Sequence, residues 1–115
     1  MPPQEPSSRH SWHLYAVRLK LELLEIERSE FIQQLRARGI GASVHFIPIP
    51  LHPCFAPYES LGSRHCPMAM ELYPRLVSLP LYPAMTEEQV RFVASAVKEV
   101  VWAAKRTKHV PLPVI

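Results

Sequence analysis

Ser78-Leu79-Pro80-Leu81-Tyr82-Pro83-Ala84-Met85-Thr86 is a buried strand that runs directly into a helix start. Pro80 and Pro83 bracket Leu81-Tyr82. Proline has no N–H for a ladder, so the run is not expected to form an ordinary central strand with a full set of donors. Thr86 and Gln89 make a T-x-x-Q capping box, in which hydroxyl and amide each satisfy an orphan N–H at the helix end. Met85 before the cap and Val90 after it have the spacing of a hydrophobic staple. From Thr86 to about Lys105 the pattern stays helical. Val90, Val93, Ala94, Val97, Val100, Val101 and Ala104 form one apolar stripe. Glu87 and Glu88 lie in the first turn, where the helix dipole favours negative charge, and that place explains the pair without catalysis.

Upstream, His10 to Leu21 mixes aromatic and β-branched residues. Trp12, Leu14 and Ala16 take one face and Tyr15, Val17 and Leu19 the other, a strand expected to be covered on both sides. Glu27 to Arg38 carries Phe31, Ile32 and Leu35 at helical spacing, and Gly39 stands where a left-handed residue closes a helix, with Ile40 to make the apolar contact. Ala42 to Ile47 is a second strand, after which Pro48, Pro50 and Pro53 predict an extended exit. Pro57 to Arg64 suits a surface loop. Pro67 to Tyr73 predicts a short helix ended by Pro74, with Met68, Met70 and Tyr73 as core filler. Leu76 to Tyr82 is the third strand. The order is β-α-β-(short α)-β-α, an α+β fold with a small three-stranded sheet and helices mainly on one face.

The chain has 115 residues, 48% hydrophobic and 20% charged, which fits one soluble globular domain with a modest core. Residues 1–9 read as a disordered or linker arm, 10–106 as the domain and 107–115 as a flexible tail. A net charge of +3 comes largely from cations at helix ends, such as Arg36, Arg38, Lys105, Arg106 and Lys108, which favours solvated termini over a nucleic-acid surface. No stretch is long and apolar enough for a membrane span, and the start lacks a signal-peptide pattern. Two cysteines without such a signal point to reduced thiols in a cytoplasm.

The run from Ser78 to Thr86 resembles the "SLPLYPxMT" signature of the DegT/DnrJ/StrS family of pyridoxal-phosphate (PLP)-dependent nucleotide-sugar aminotransferases. Ser11-Trp12-His13-Leu14-Tyr15, Arg38-Gly39-Ile40-Gly41 and Ser43-Val44-His45-Phe46-Ile47-Pro48 extend the resemblance in family order, over roughly Ser11 to Val101. It corresponds to the family's C-terminal small domain, so the large PLP-binding domain, with the lysine that holds the cofactor, has no counterpart. The resemblance implies an incomplete unit of an enzyme that moves an amino group from an amino-acid donor to a keto sugar on a nucleotide, usually as a homodimer. It implies a wall of the cleft without the reacting centre, inactive and binding no PLP by itself. The alternatives are a complementing subunit, a non-catalytic binding or regulatory domain on the same fold, or a truncated remnant.

His45 is the first candidate site residue. Read on its own it is a core or edge histidine held by one backbone hydrogen bond. The resemblance implies instead that His45 and Phe46 reach the cleft and bind substrate, His45 as a polar contact and Phe46 as an apolar wall. With Trp12 and Tyr15 they are expected to line one concave, uncovered region. His52, Cys54, His65 and Cys66 supply zinc-type ligands, but the spacing matches no known finger or ribbon. The similar family segment reads "HLHPYY" where this chain has Pro50-Leu51-His52-Pro53-Cys54-Phe55, so no shared metal centre is expected. Cys54 has neither a base nor an electropositive setting nearby in sequence. Of Lys20, Lys98, Lys105 and Lys108, none corresponds to the cofactor lysine. Trp102 lies off the apolar stripe and marks a possible contact surface.

Overall fold

A computed structural model of the protein describes Ser7, residues 11–58 and residues 64–106. The expected arm (Ser7 excepted), the expected tail and residues 59–63 of the expected loop lie outside the described residues. The elements are β1 (Tyr15–Arg18), α1 (Arg28–Ala37), β2 (Ser43–Val44), α2 (Pro67–Leu72), β3 (Leu76–Leu79) and α3 (Glu87–Ala103), in the predicted α+β order. The strands form one antiparallel sheet, β1-β3-β2. Tyr15 stands opposite Leu79 and Val17 opposite Val77, while Ser43 stands opposite Ser78 on the other side.

β3 is thus the central strand, contrary to the reading of its two prolines. It can be central because it stops at Leu79, one residue before Pro80, so no ladder donor is lost. Tyr82 O then accepts from Met85 N at 3.1 Å, a turn that delivers the chain to Thr86. The capping box forms as read. Gln89 N donates to Thr86 Oγ1 at 3.2 Å, and Thr86 N donates to Gln89 Oε1 at 2.9 Å. Tyr82 adds its hydroxyl to the same Gln89 oxygen at 3.1 Å.

α1 ends on a Schellman motif. Gly39 has φ 77, Ile40 N donates to Leu35 O at 3.1 Å and Gly39 N to Arg36 O at 2.9 Å. That turn brings Ile40 back into the core with Leu35. Phe31 and Leu35 from α1, Val77 from β3 and Val100 from α3 are sealed from solvent, and Leu19, Leu24, Ile32, Ile40, Ala42, Ala96 and Ala104 complete the packing among the described residues. Each such large side chain contributes about 1.5–3 kcal/mol by leaving water. The loop after β1 is tied to the end of α3: Glu25 N donates to Ala104 O at 2.8 Å, and Arg106 Nε to Leu24 O at 2.6 Å.

The structure corrects several local readings. β1 is covered on one face only, since Tyr15 and Val17 are half-buried while Ala16 and Arg18 are exposed. It is also shorter than His10–Leu21. Trp12 has φ 51, which breaks the extended backbone before it, and Leu21–Leu23 is a 3-10 turn after it. β2 has two residues. Beyond it the prolines produce 3-10 turns at Ile49–Leu51 and Pro53–Tyr58 rather than an extended exit, because the fixed φ of proline suits a tight turn as well as an extended chain. Pro74 does end α2, and the chain continues as a 3-10 turn over Tyr73–Arg75. Met68 is exposed, not core. Tyr73 instead meets Arg28, whose guanidinium lies 4.4 Å from the ring centre and donates to Tyr73 O. On α3 the buried line runs through Val93, Ala96, Val97, Val100 and Ala104, while Val90, Ala94 and Val101 are exposed. The core thus takes four residues of the sequence stripe and adds Ala96, while the stripe's Val90, Ala94 and Val101 edge stays in solvent.

Candidate functional site

Successive strand residues alternate between faces, so a sheet covered on one side leaves every second side chain bare. Val17, Val77 and Leu79 turn toward the helices. Ser78 and Ser43, paired across β3 and β2, take the opposite face. His45, two residues beyond Ser43, shares that face, and its ring reaches diagonally across the sheet. His45 Nδ1 and Ser78 Oγ are 3.0 Å apart. Phe46 follows with 75% of its surface exposed, its ring edge-on to His45 at 5.3 Å between centres and 67° between planes.

These residues border an open groove of about 430 Å³, shared with Leu14, Val44, Ile47 and His52. His52 Nε2 lies 3.3 Å from Ile47 O. A carbonyl can only accept, so in this long hydrogen bond Nε2 carries the proton and the other ring nitrogen is free to accept. The groove therefore joins hydroxyls and imidazoles on its floor to apolar side chains on its rim. Such a surface can hydrogen-bond a hydroxylated ligand and pack against its ring.

A second open groove, about 390 Å³, lies on the helix side. Trp12, Tyr15, Leu79, Leu81, Met85 and Val90 are among its apolar walls. The staple pair, Met85 and Val90, thus faces a shared cavity rather than a sealed core. Trp12 and Tyr15 were expected to share one concave region with His45 and Phe46, and they do not. The sheet separates them: Tyr15 and Leu79 lie on its helix side, and the positive φ of Trp12 breaks the alternation that would have put it beside Leu14.

The groove residues that sequence reasoning missed are Ser43 and Ser78, and His52 was weighed only as a metal ligand. The available signal was a serine at an alternating position inside an otherwise apolar strand. Among the described residues, no three His, Cys, Asp or Glu side chains gather closely enough to hold a metal ion. Cys54 is exposed and Cys66 half-buried, both as free thiols. Outside the grooves, Arg75 Nη1 donates to Glu22 Oε2 at 2.6 Å. A hydrogen bond from its own backbone N–H, followed by that guanidinium, holds the Glu22 carboxyl below its ordinary range. Trp102 is 77% exposed with Lys105 over its ring at 5.3 Å.

The model of the DegT/DnrJ/EryC1/StrS aminotransferase family matches residues 1–98, and the chain belongs to this family. MJ1066 of Methanocaldococcus jannaschii is 42% identical over 93 residues, covering 81% of this chain and 24% of that protein. The spore coat polysaccharide biosynthesis protein SpsC of Bacillus subtilis is 40% identical over 97 residues, 84% of this chain and 25% of its own length. The dTDP-3-amino-3,6-dideoxy-alpha-D-galactopyranose transaminase of Aneurinibacillus thermoaerophilus is 33% identical, over 84% of this chain and 24% of its own. Among solved structures, the putative sugar aminotransferase Spr1654 of Streptococcus pneumoniae superposes with a TM-score of 0.65 in its PMP form. It is 30% identical over 79% of this chain and 22% of that one, and its PLP form matches equally well. The chain spans about a quarter of the length of the curated relatives it matches.

The PLP carried by that solved neighbour can be tested against the residues present here. PLP enzymes hold the cofactor on a lysine beside its pyridine ring. Lys20, Lys98 and Lys105 are exposed, and no lysine lines either groove. Among the described residues, neither groove therefore offers PLP a lysine.

Proposed function

We propose that this member of the DegT/DnrJ/EryC1/StrS aminotransferase family forms the small-domain wall of a nucleotide-sugar aminotransferase site. Residues 10–106 make up that unit. His45 provides a polar contact to the substrate and Phe46 an apolar wall. The reaction is transfer of an amino group from an amino acid to a keto sugar carried on a nucleotide, as the names of the relatives suggest for amino-sugar and polysaccharide biosynthesis. PLP supplies the chemistry at the amino and keto carbons, held by a large domain or subunit that completes the cleft, in a homodimer. The setting is the cytoplasm, a reading that agrees with the lack, among the described residues, of a helix long and apolar enough to cross a membrane. The chain by itself is inactive and does not bind PLP.

One observation carries this reading. His45 and Phe46, which lie in one of the family-like motifs, stand together on the bare face of the sheet in an open groove, with the His45 ring anchored to Ser78. A buried core histidine would have supported the structural alternative. Incubating the chain with PLP, an amino-acid donor and a nucleotide keto sugar is expected to give no turnover. Borohydride reduction followed by peptide mapping is expected to leave every lysine without stoichiometric label. Turnover with one labelled lysine would overturn the proposal.

A further inference from the structure

We propose that Ser78 is a positioning residue that fixes the tautomer of His45, so that the groove presents a matched donor and acceptor to a ligand hydroxyl. The inference rests on the groove being the ligand site, as proposed above. Ser78 Oγ lies 3.0 Å from His45 Nδ1, and among the described residues the hydroxyl has no other partner. A serine hydroxyl has one proton to donate, and donating it to Nδ1 satisfies that proton and the ring nitrogen together. His45 then carries its proton on Nε2, which has no protein partner among the described residues and acts as a donor. His52 is held in the complementary sense. Its Nε2 proton goes to Ile47 O, 3.3 Å away, leaving Nδ1 as an acceptor.

Both imidazoles border the same groove, with Phe46 at its rim. A sugar hydroxyl donates and accepts at once, so one free donor and one free acceptor suit it. The diphosphate of a nucleotide sugar, a fully ionised diester at neutral pH, can only accept and would leave the His52 nitrogen without a partner. The ligand class that this polarity fits is the hydroxylated ring, not the phosphate, of a nucleotide sugar. The role assigned to Ser78 runs through His45, since its single proton is engaged there.

The test is long-range proton–nitrogen NMR of the full chain at mildly alkaline pH, where imidazole is neutral. Wild type is expected to show a His45 Nδ1 of the acceptor type and a protonated Nε2. In Ser78→Ala the two tautomers are expected to mix, and Ser78→Thr, which keeps the hydroxyl, to restore the wild-type pattern. A Ser78→Ala spectrum with the wild-type tautomer, or a wild type protonated on Nδ1, would overturn the inference. Adding dTDP-glucose and inorganic phosphate separately then tests the ligand class. Shifts at His45 and His52 from the sugar nucleotide, weakened several-fold in Ser78→Ala, support it, and equal shifts from phosphate overturn it. If dTDP-glucose moves neither ring while the tautomer result holds, the groove reading under Proposed function fails, and the proposed ligand class fails with it.

Discussion

The two faces of the sheet are built from alternate residues of the same strands, yet they behave as different kinds of surface. On one face, Val77 is sealed in one cluster with Phe31, Leu35 and Val100, and among the described residues no polar side chain is buried there. On the other, Ser78, one residue along, stands between Ala16 and Ser43, meets the ring of His45 and lines an open groove. A single strand thus carries the fold on its odd positions and the candidate site on its even one. Stability and binding should accordingly respond to substitution in opposite ways on the two faces.

The sealed face is expected to give the largest losses. Phe31→Ala removes a ring with no solvent exposure and should cost about 3–5 kcal/mol in denaturant titration, enough to threaten folding of a small domain. A loss below about 1 kcal/mol would show that the helices are not the face that carries the fold. Caps on the helices come next. Thr86→Ala should cost about 1 kcal/mol by releasing the N–H of Gln89. Gly39→Ala should cost about 1–2 kcal/mol from the left-handed backbone alone, since no atom lies within 4 Å of an added Cβ. On the bare face, His45→Ala should change stability by less than about 1 kcal/mol, as at other surface sites, while abolishing the groove's free donor. A loss of several kcal/mol there would make His45 a structural residue and erase the contrast. The smallest effect is expected at Glu22. Its carboxyl is held low in the folded state, so the stabilisation is complete above the unfolded value and fades as the pH falls through the folded one. Glu22→Gln should therefore be slightly less stable than wild type near neutral pH and equal to it in acid, a difference that titration at the two pH values will read.

How much of this was legible in the sequence depended on the range of the interaction. The capping box at Thr86 and the Schellman turn at Gly39 are closed within a few residues, and both formed as read. The order of elements and the fold class followed from these signals together with the apolar patterns of the strands and helices. What sequence periodicity could not supply was which face of each element a distant segment would cover. Of the stripe Val90, Val93, Ala94, Val97, Val100, Val101 and Ala104 on α3, the core takes Val93, Val97, Val100 and Ala104, adds Ala96 and leaves Val90, Ala94 and Val101 exposed. β1 looked apolar on both faces because Trp12 and Leu14 are hydrophobic, yet they are about two-fifths exposed, as groove walls. His45 and Phe46 were picked out by resemblance, but the Ser78 contact, between residues 33 apart in sequence, needed the register of β2 on β3.

The central claim is that the ligand groove lies on the bare face of the sheet, at His45, and not in the apolar groove beside α3. Backbone and side-chain NMR of the full chain titrated with dTDP-glucose tests it most directly. The account predicts shifts clustered on Leu14, Ser43, His45, Phe46 and Ser78, lost in His45→Ala with the fold intact. Shifts clustered on Trp12, Tyr15, Leu81 and Met85 instead, or a response that His45→Ala leaves unchanged, would contradict it.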